Sequence, residues 1–217
     1  MADLAPERVS AFVARVSPSA SDPHAVLRAF SLAVAATPSA AGDLTPTLTG
    51  LLILGRNPQW FVPQAFTKIA RHSGSTPVAS VIDTDEIVGT VPEQIERLEP
   101  AFTRFLQTAA SVRGLTRRER PEYPPDAIRE LVTNALVHRD YAVGTGPVII
   151  RLFSNRVEIS NPGQVNARTF DQLATSPPTL QNPTLARSLR ALGYVESLGV
   201  GLAHAAAQLR AAGHGAP

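Results

Sequence analysis

Apolar residues recur every three or four positions in six stretches of the chain, which is the spacing of a helix with one buried face. Proline and other turn-forming residues separate these stretches. The pattern predicts helices over residues 7–16, 24–36, 92–110, 126–138, 183–192 and 202–212. Pro100 lies inside the third helix and is expected to kink it, because proline has no amide hydrogen to donate.

Shorter apolar runs bounded by turn residues indicate strands. The predicted strands are residues 65–70, 78–82, 148–153 and 157–160, of which the last two form a hairpin. Leu48–Leu54 is a very apolar stretch that ends at Gly55 and Asn57-Pro58. Residues 164–181 are predicted to be mostly loop. Helices and antiparallel strands in one chain predict an α+β fold.

The composition is that of a globular protein, with 44% hydrophobic and 18% charged residues in 217 positions. This length suits one large domain or two small ones. The chain has no cysteine, which excludes disulfides and thiolate metal sites. No apolar run approaches the roughly 20 residues of a membrane span. We therefore expect a cytoplasmic protein that does not enter a membrane.

Charge alone indicates no partner, because 20 basic and 18 acidic residues give a net charge of only +2. A basic stretch over residues 112–123 is the exception, and it predicts a joint between segments 1–112 and 113–217. It either contacts DNA or is a solvated linker. Glu119 and Glu122 dilute its charge and favour the linker. Its arginines are Arg113, Arg117, Arg118 and Arg120.

The predicted helix 126–138 carries the most informative polar residues. Glu130, Asn134 and His138 are four positions apart and therefore share one face. An amide oxygen is a ligand that Mg²⁺ accepts, and a neighbouring carboxylate can deprotonate or orient an attacking water. Alone, the motif is better explained as a solvated polar face. The histidines show no metal-ligand spacing, and His138 is expected to cap its helix.

Two glycine motifs follow. Asn161-Pro162-Gly163 comes directly after a strand, where the turn lets backbone approach a flat ligand closely. Gly199 and Gly201 precede a helix, so their bare amides and the helix dipole could hold a phosphate. An ordinary turn and a glycine-rich helix start explain the two motifs equally well when each stands alone.

The order of these motifs resembles the GHKL ATPase superfamily of DNA gyrase, bacterial histidine kinases and mismatch-repair proteins. The string NALVHRDY at residues 134–141 is similar to one bacterial branch, the ATP-binding transcriptional regulators, sometimes described as helicase-related. These regulators carry an AlbA-like (Schlafen-type) domain in front. The resemblance covers most of the chain from about residue 45. Further matching motifs are residues 46–58, Tyr123-Pro124, Asn182-Pro183, 192–196 and 199–201.

The resemblance implies ATP and Mg²⁺ as cofactors. Glu130 would be the catalytic residue that activates water, and Asn134 would bind the Mg²⁺ that accompanies the nucleotide. At most a slow Mg²⁺-dependent ATPase is expected.

The remaining residues of the implied site bind the nucleotide. Asn161 would accept a hydrogen bond from the adenine amino group, and Gly163 would let the base lie against the chain. Gly199 and Gly201 would close over the phosphates, with residues 164–196 as a lid.

The sequence also departs from the family pattern. Asn161 stands where the superfamily has an aspartate, and Gln181 stands where the branch often has an arginine. No AlbA-like core is recognisable before the GHKL part, and the strands that complete the fold are missing after it. We therefore expect a truncated GHKL sandwich over residues 113–217, preceded by a smaller α+β segment over 1–112.

Three functions remain open. The first is a nucleotide-binding part of a transcriptional regulator, which reaches DNA through a regulatory complex. The second is a dimerisation or interaction protein that has lost the nucleotide, and the third is a DNA-binding accessory protein that uses the arginine-rich segment. A sheet that lacks its last strands leaves an edge open, so we also expect a homodimer.

Overall fold

The computed structural model describes residues 1–36, 43–110, 123–141, 146–163, 180–195 and 201–214, with the backbone alone for 107–110. The helices in these ranges are α1 (Pro6–Val16), α2 (Pro23–Ala29), α3 (Leu48–Leu54), α4 (Val91–Ala110), α5 (Pro125–Val137), α6 (Pro183–Leu192) and α7 (Gly201–Ala211). The strands are β1 (Ala33–Ala35), β2 (Leu44–Pro46), β3 (Thr67–His72), β4 (Val81–Ile87), β5 (Val148–Leu152) and β6 (Val157–Ser160). The predicted α+β class is confirmed.

The main sheet has four strands in the order β4-β3-β5-β6. The two outer pairs are antiparallel hairpins, whereas β3 and β5 pair in parallel, with Ile69 opposite Ile150. Both of these isoleucines are fully buried. The sheet therefore joins one hairpin from each of the two segments predicted from the sequence. The predicted boundary at 112/113 itself lies outside the described residues.

Helix α4 packs against the half of this sheet that β3 and β4 form. The apolar stripe of α4 is buried in the same cluster as the sheet residues, and α4 contacts both β3 and β4. The helix continues past Pro100 to Ala110, as predicted. Its buried stripe consists of Ile95, Leu98, Phe102 and Phe105.

The second helix is shorter than predicted. Periodicity suggested residues 24–36, but α2 ends at Ala29 and Ser31 adopts a left-handed conformation with φ 55°. This turn carries Leu32 into the core, where it is fully buried. The Leu32 backbone then lies against α3, since a β-carbon on Gly50 would lie 1.9 Å from the Leu32 carbonyl oxygen. Tertiary packing has overridden the local pattern.

The second predicted strand was displaced and too short. Residues 78–82 were expected, whereas β4 covers Val81–Ile87 and pairs with β3 along its length. Acidic residues in its second half weaken the strand signal, because carboxylates disfavour strands. Arg104 of α4 offsets that charge through ion pairs with Asp83 and Asp85.

Helix α5 sits at the centre of the second half. It contacts α4 on one side, α7 on another and β6 of the sheet. Ala127 of α5 and two residues of α7, Ala205 and Leu209, form a small apolar cluster between the helices. At the far end of α7, His214 stacks on Tyr123 with ring centroids 4.5 Å apart. These contacts fix the position of α7 against α5.

Candidate functional site

The polar face predicted for α5 is present. Ile128, Val132 and Leu136 are buried on the apolar side of the helix, whereas Glu130 and Asn134 are half-buried. Asn134 lies one turn after Glu130. Within the described part of the chain, the Asn134 side chain makes no hydrogen bond. Its amide oxygen is therefore available to a ligand.

The carboxylate of Glu130 lies against the start of α7. A β-carbon built on Gly201 would lie 1.5 Å from Oε1 and 2.4 Å from Cδ of Glu130. Gly201 is the first residue of this 11-residue helix. Amide hydrogens at a helix N-terminus have no intrahelical acceptor, and the helix dipole is positive there. A carboxylate at this point is electrostatically favourable.

The Asn161-Pro162-Gly163 turn lies at the other end of α5. A β-carbon on Gly163 would lie 2.9 Å from the His138 carbonyl oxygen, and Asp140 donates its amide hydrogen to the Pro162 carbonyl at 2.7 Å. The approach to His138 is a backbone contact, which cannot yield as a flexible side chain would. Gly163 is therefore a position where the close approach requires glycine.

Two amide side chains flank Gly163. Nδ2 of Asn161 and Oε1 of Gln181 each lie 3.4 Å from the point where its β-carbon would be. Both residues drew attention in the sequence because they replace charged residues of the family pattern. The structure places both neutral amides beside this one turn.

Asn182 fastens α6 to the same place. Its Nδ2 donates to the carbonyl oxygens of Val137 at 2.8 Å and Arg139 at 2.7 Å. Because it is also the N-cap residue of α6, it joins the start of that helix to the end of α5. The sequence showed Asn182-Pro183 only as a matching motif. A neighbouring proline at a helix start was its only other signal.

The predicted site residues thus form two groups at the two ends of one polar face. Glu130 and Gly201 are in contact at one end. At the other end, Gly163 lies against the His138 carbonyl oxygen, with the Asn161 side chain beside it. The positions 130 and 138 on one helix are about 12 Å apart along its axis. Asn134 lies midway between them. Gly199 and most of the predicted lid, residues 164–179 and 196, lie outside the described residues.

His138 caps α5, as predicted. Its backbone amide donates to the Asn134 carbonyl oxygen at 2.9 Å. The imidazole is half-buried, and burial lowers its pKa from the usual 6.5 because the charged form loses hydration. The neutral ring is therefore favoured at neutral pH.

Arg139 is a residue whose environment the sequence did not reveal. The side chain is fully buried, and its Nε, Nη1 and Nη2 atoms have no hydrogen-bond partner among the described residues. The guanidinium carbon lies 5.1 Å from the centroid of the Tyr141 ring. Burial lowers the pKa of Arg139. Its position after a helix end gave no sign of this, because such arginines are usually solvated.

A cavity of about 260 Å³ lies between α4 and α5, away from the Glu130 carboxylate. Both apolar and charged side chains line it. Glu96, one of the charged residues, accepts a hydrogen bond from the Tyr194 hydroxyl. Its lining includes Glu96, Leu98, Glu99, Phe102, Ile128 and Arg129. None of the predicted site residues that the structure describes contributes to this lining.

The described residues contain no group of three or more side chains suited to a metal ion. They also contain no helix long and apolar enough to cross a membrane.

Residues 145–217 match the model of an ATPase-like family described as "Putative ATP-dependent DNA helicase recG C-terminal". The matched range contains β5, β6, α6 and α7, with Gly163 and Gly201. It begins after α5, so Glu130 and Asn134 lie outside it. The AlbA-like (Schlafen-type) part of the resemblance has no counterpart in this match.

The fold is similar to the crystal structure of the DIP2311 protein from Corynebacterium diphtheriae, with a TM-score of 0.69 and 21% sequence identity. This match covers 100% of the present chain and 42% of that protein's chain. The present chain therefore spans about two fifths of its length. At this identity the likeness shows the fold alone. No curated protein matches the sequence.

Proposed function

We propose that this chain is a nucleotide-binding part of a transcriptional regulator and that it takes ATP together with Mg²⁺. The observation that carries the proposal is the arrangement around α5. A carboxylate and a free amide share one helix face, beside the N-terminus of α7. Hard oxygen ligands suit Mg²⁺, and a helix N-terminus suits a phosphate. The family match over residues 145–217 supports the same class of ligand.

The proposed roles follow from chemistry and position. Asn134 ligates Mg²⁺ through its amide oxygen, and Glu130 activates the water that attacks the terminal phosphate. Gly201, with Gly199, receives the phosphates. We expect at most slow Mg²⁺-dependent turnover.

In this proposal the adenine ring of the nucleotide lies at the other end of the polar face, away from Glu130. Asn161 accepts a hydrogen bond from the adenine amino group, and Gly163 lets the base lie against the chain. A neutral amide accepts more weakly than a carboxylate, so adenine is held less firmly than in relatives with aspartate there. Gln181 beside it brings no charge to compensate.

The second candidate is an interaction protein that keeps this fold without the nucleotide. The neutral pair Asn161 and Gln181 favours it, since both replace charged residues of the family pattern. Among the described strands, β4 and β6 form the two edges of the four-stranded sheet, which is compatible with the homodimer that either function would use. In the first proposal, the nucleotide-binding chain reaches DNA only through the regulatory complex of which it is a part.

Calorimetric titration with ATP, with and without Mg²⁺, separates the two candidates. The nucleotide proposal expects saturable binding that Mg²⁺ strengthens, and expects Asn134→Ala to remove most of the Mg²⁺-dependent part. Glu99→Gln, on the exposed side of α4, is the control and should bind like the parent chain. Absence of saturable binding in the parent chain and in a Glu130→Gln variant would favour the interaction protein.

A further inference from the structure

The Glu130 carboxylate, an anionic group of the chain itself, lies against the start of α7. The Glu130 carboxylate lies where a side chain on Gly201 would begin, with Oε1 1.5 Å from the β-carbon position. A phosphate that approaches the same helix start would meet this carboxylate. The two groups exclude each other by volume and repel each other by charge.

From this contact we infer that Glu130 is an internal competitor of the nucleotide: in the free protein its carboxylate closes the phosphate site, and it must withdraw before a phosphate binds. The inference rests on the proposed function, since it concerns the same site. It adds a role for Glu130 in the free protein that differs from activating water in the bound one.

The local structure allows such a withdrawal. Glu130 is half-buried and not enclosed by the core, and Gly201 has no side chain to obstruct the exchange. The packing between α5 and α7 rests on Ala127, Ala205 and Leu209, which do not have to move. The exchange therefore needs a change of side-chain rotamer and no separation of the helices.

Mg²⁺ should favour the exchange of the Glu130 carboxylate for a phosphate. A divalent cation bound with the nucleotide would offset the repulsion between the Glu130 carboxylate and the phosphate. The nucleotide without metal has to displace Glu130 against its charge, whereas the same withdrawal would meet less repulsion when Mg²⁺ accompanies the nucleotide. The parent chain should accordingly gain more affinity from Mg²⁺ than a chain whose residue 130 is neutral.

The test is a calorimetric titration with ADP, which avoids turnover, on the parent chain, Glu130→Gln and Glu99→Gln. Glutamine keeps the shape of the side chain and removes its charge. Without Mg²⁺, Glu130→Gln should bind ADP about tenfold more tightly than the parent chain, which is the scale of a charge at a helix terminus. Glu99→Gln removes a carboxylate from an exposed position on α4 and should leave the affinity unchanged.

A second readout separates competition from a purely structural contact. If Glu130 stabilises α7 in the free protein, Glu130→Gln should unfold at a lower temperature without ligand, although it binds ADP more tightly. Equal or weaker ADP binding by Glu130→Gln would overturn the inference and leave the proposed function standing. No ADP binding by any of the three proteins would overturn both. Glu130→Asp, which withdraws the carboxylate by one methylene, should bind with intermediate affinity and serves if the glutamine variant does not fold.

Discussion

The Glu130 carboxylate and the first residue of α7 are in such close contact that Gly201 could not carry a side chain: its β-carbon would lie 1.5 Å from Oε1 and 2.4 Å from Cδ. The contact joins the middle of one helix to the beginning of another. It places an acidic group where unpaired amide hydrogens and a positive dipole end would otherwise face solvent.

The contact predicts that positions 130 and 201 are energetically coupled. Gly201→Ala should lower the free energy of unfolding by about 1 kcal/mol, because the new methyl group drives the carboxylate away from the helix start. In a Glu130→Ala background the same change should cost nothing, since alanine is the better helix former. Urea denaturation of the four proteins in a double-mutant cycle measures the coupling. An equal cost in both backgrounds would show that the side chains do not meet in solution.

Turnover provides a separate test of Glu130. If the chain hydrolyses ATP, Glu130→Gln should reduce kcat by about 100-fold or more, because it removes the base that activates water. A coupled assay of ADP release at saturating Mg²⁺ and ATP measures this, with Glu99→Gln as the matched loss of one carboxylate. Equal turnover by parent and Glu130→Gln would show that this carboxylate is not catalytic.

Protonation of His138 should destabilise the fold in acid. Burial lowers its folded-state pKa below the unfolded value of 6.5, so the unfolded chain binds the proton more readily. The penalty is absent well above pH 6.5 and grows as the pH falls through that value toward the folded-state pKa. Urea midpoints at pH 7.5 and 5.5 should therefore differ less for His138→Gln than for the parent chain. His204→Gln, on the exposed face of α7, should keep the parent's difference.

Arg139 should make the folded protein less stable than an apolar residue of similar length would at the same position. A buried charge without a hydrogen-bond partner loses its hydration and receives little in return. Arg139→Met should therefore raise the free energy of unfolding by about 1 kcal/mol or more. Arg210→Met, at an exposed position of α7, should change it by less than about 0.5 kcal/mol. A large loss of stability in Arg139→Met would mean that the guanidinium has an acceptor in solution.

Helices with a clear stripe were predictable from the sequence because burial alone decides them. The spacing of Ile95, Leu98, Phe102 and Phe105 is enough to place α4 against a core. The end of α2 was not predictable, because it depends on the distant Gly50, which gives Leu32 its place. Periodicity along one segment contains no information about a neighbour that arrives later in the chain.

The candidate site shows the same division. Four-residue spacing placed Glu130 and Asn134 on one face, since helix geometry alone requires it. The contact of Glu130 with Gly201 depends on how α7 packs on α5, and the burial of Arg139 depends on the tertiary packing around the end of α5. Neither follows from local spacing. The strand β4 was misplaced for a related reason: its acidic residues are tolerated because Arg104 of another element faces them.

The parallel pairing of β3 with β5 has a consequence for the order in which the chain can assemble. Ile69 finds Ile150 only after a loop of about 80 residues closes, and the length-dependent part of that entropy is about 4 kcal/mol. On a ribosome that adds 5–20 residues per second, β5 emerges roughly 4–16 s after β3. For that time the β3–β4 hairpin has an unpaired apolar side, open to aggregation or to a chaperone. Until β5 is synthesised, β3 is therefore an edge strand, although it is an inner strand of the finished sheet.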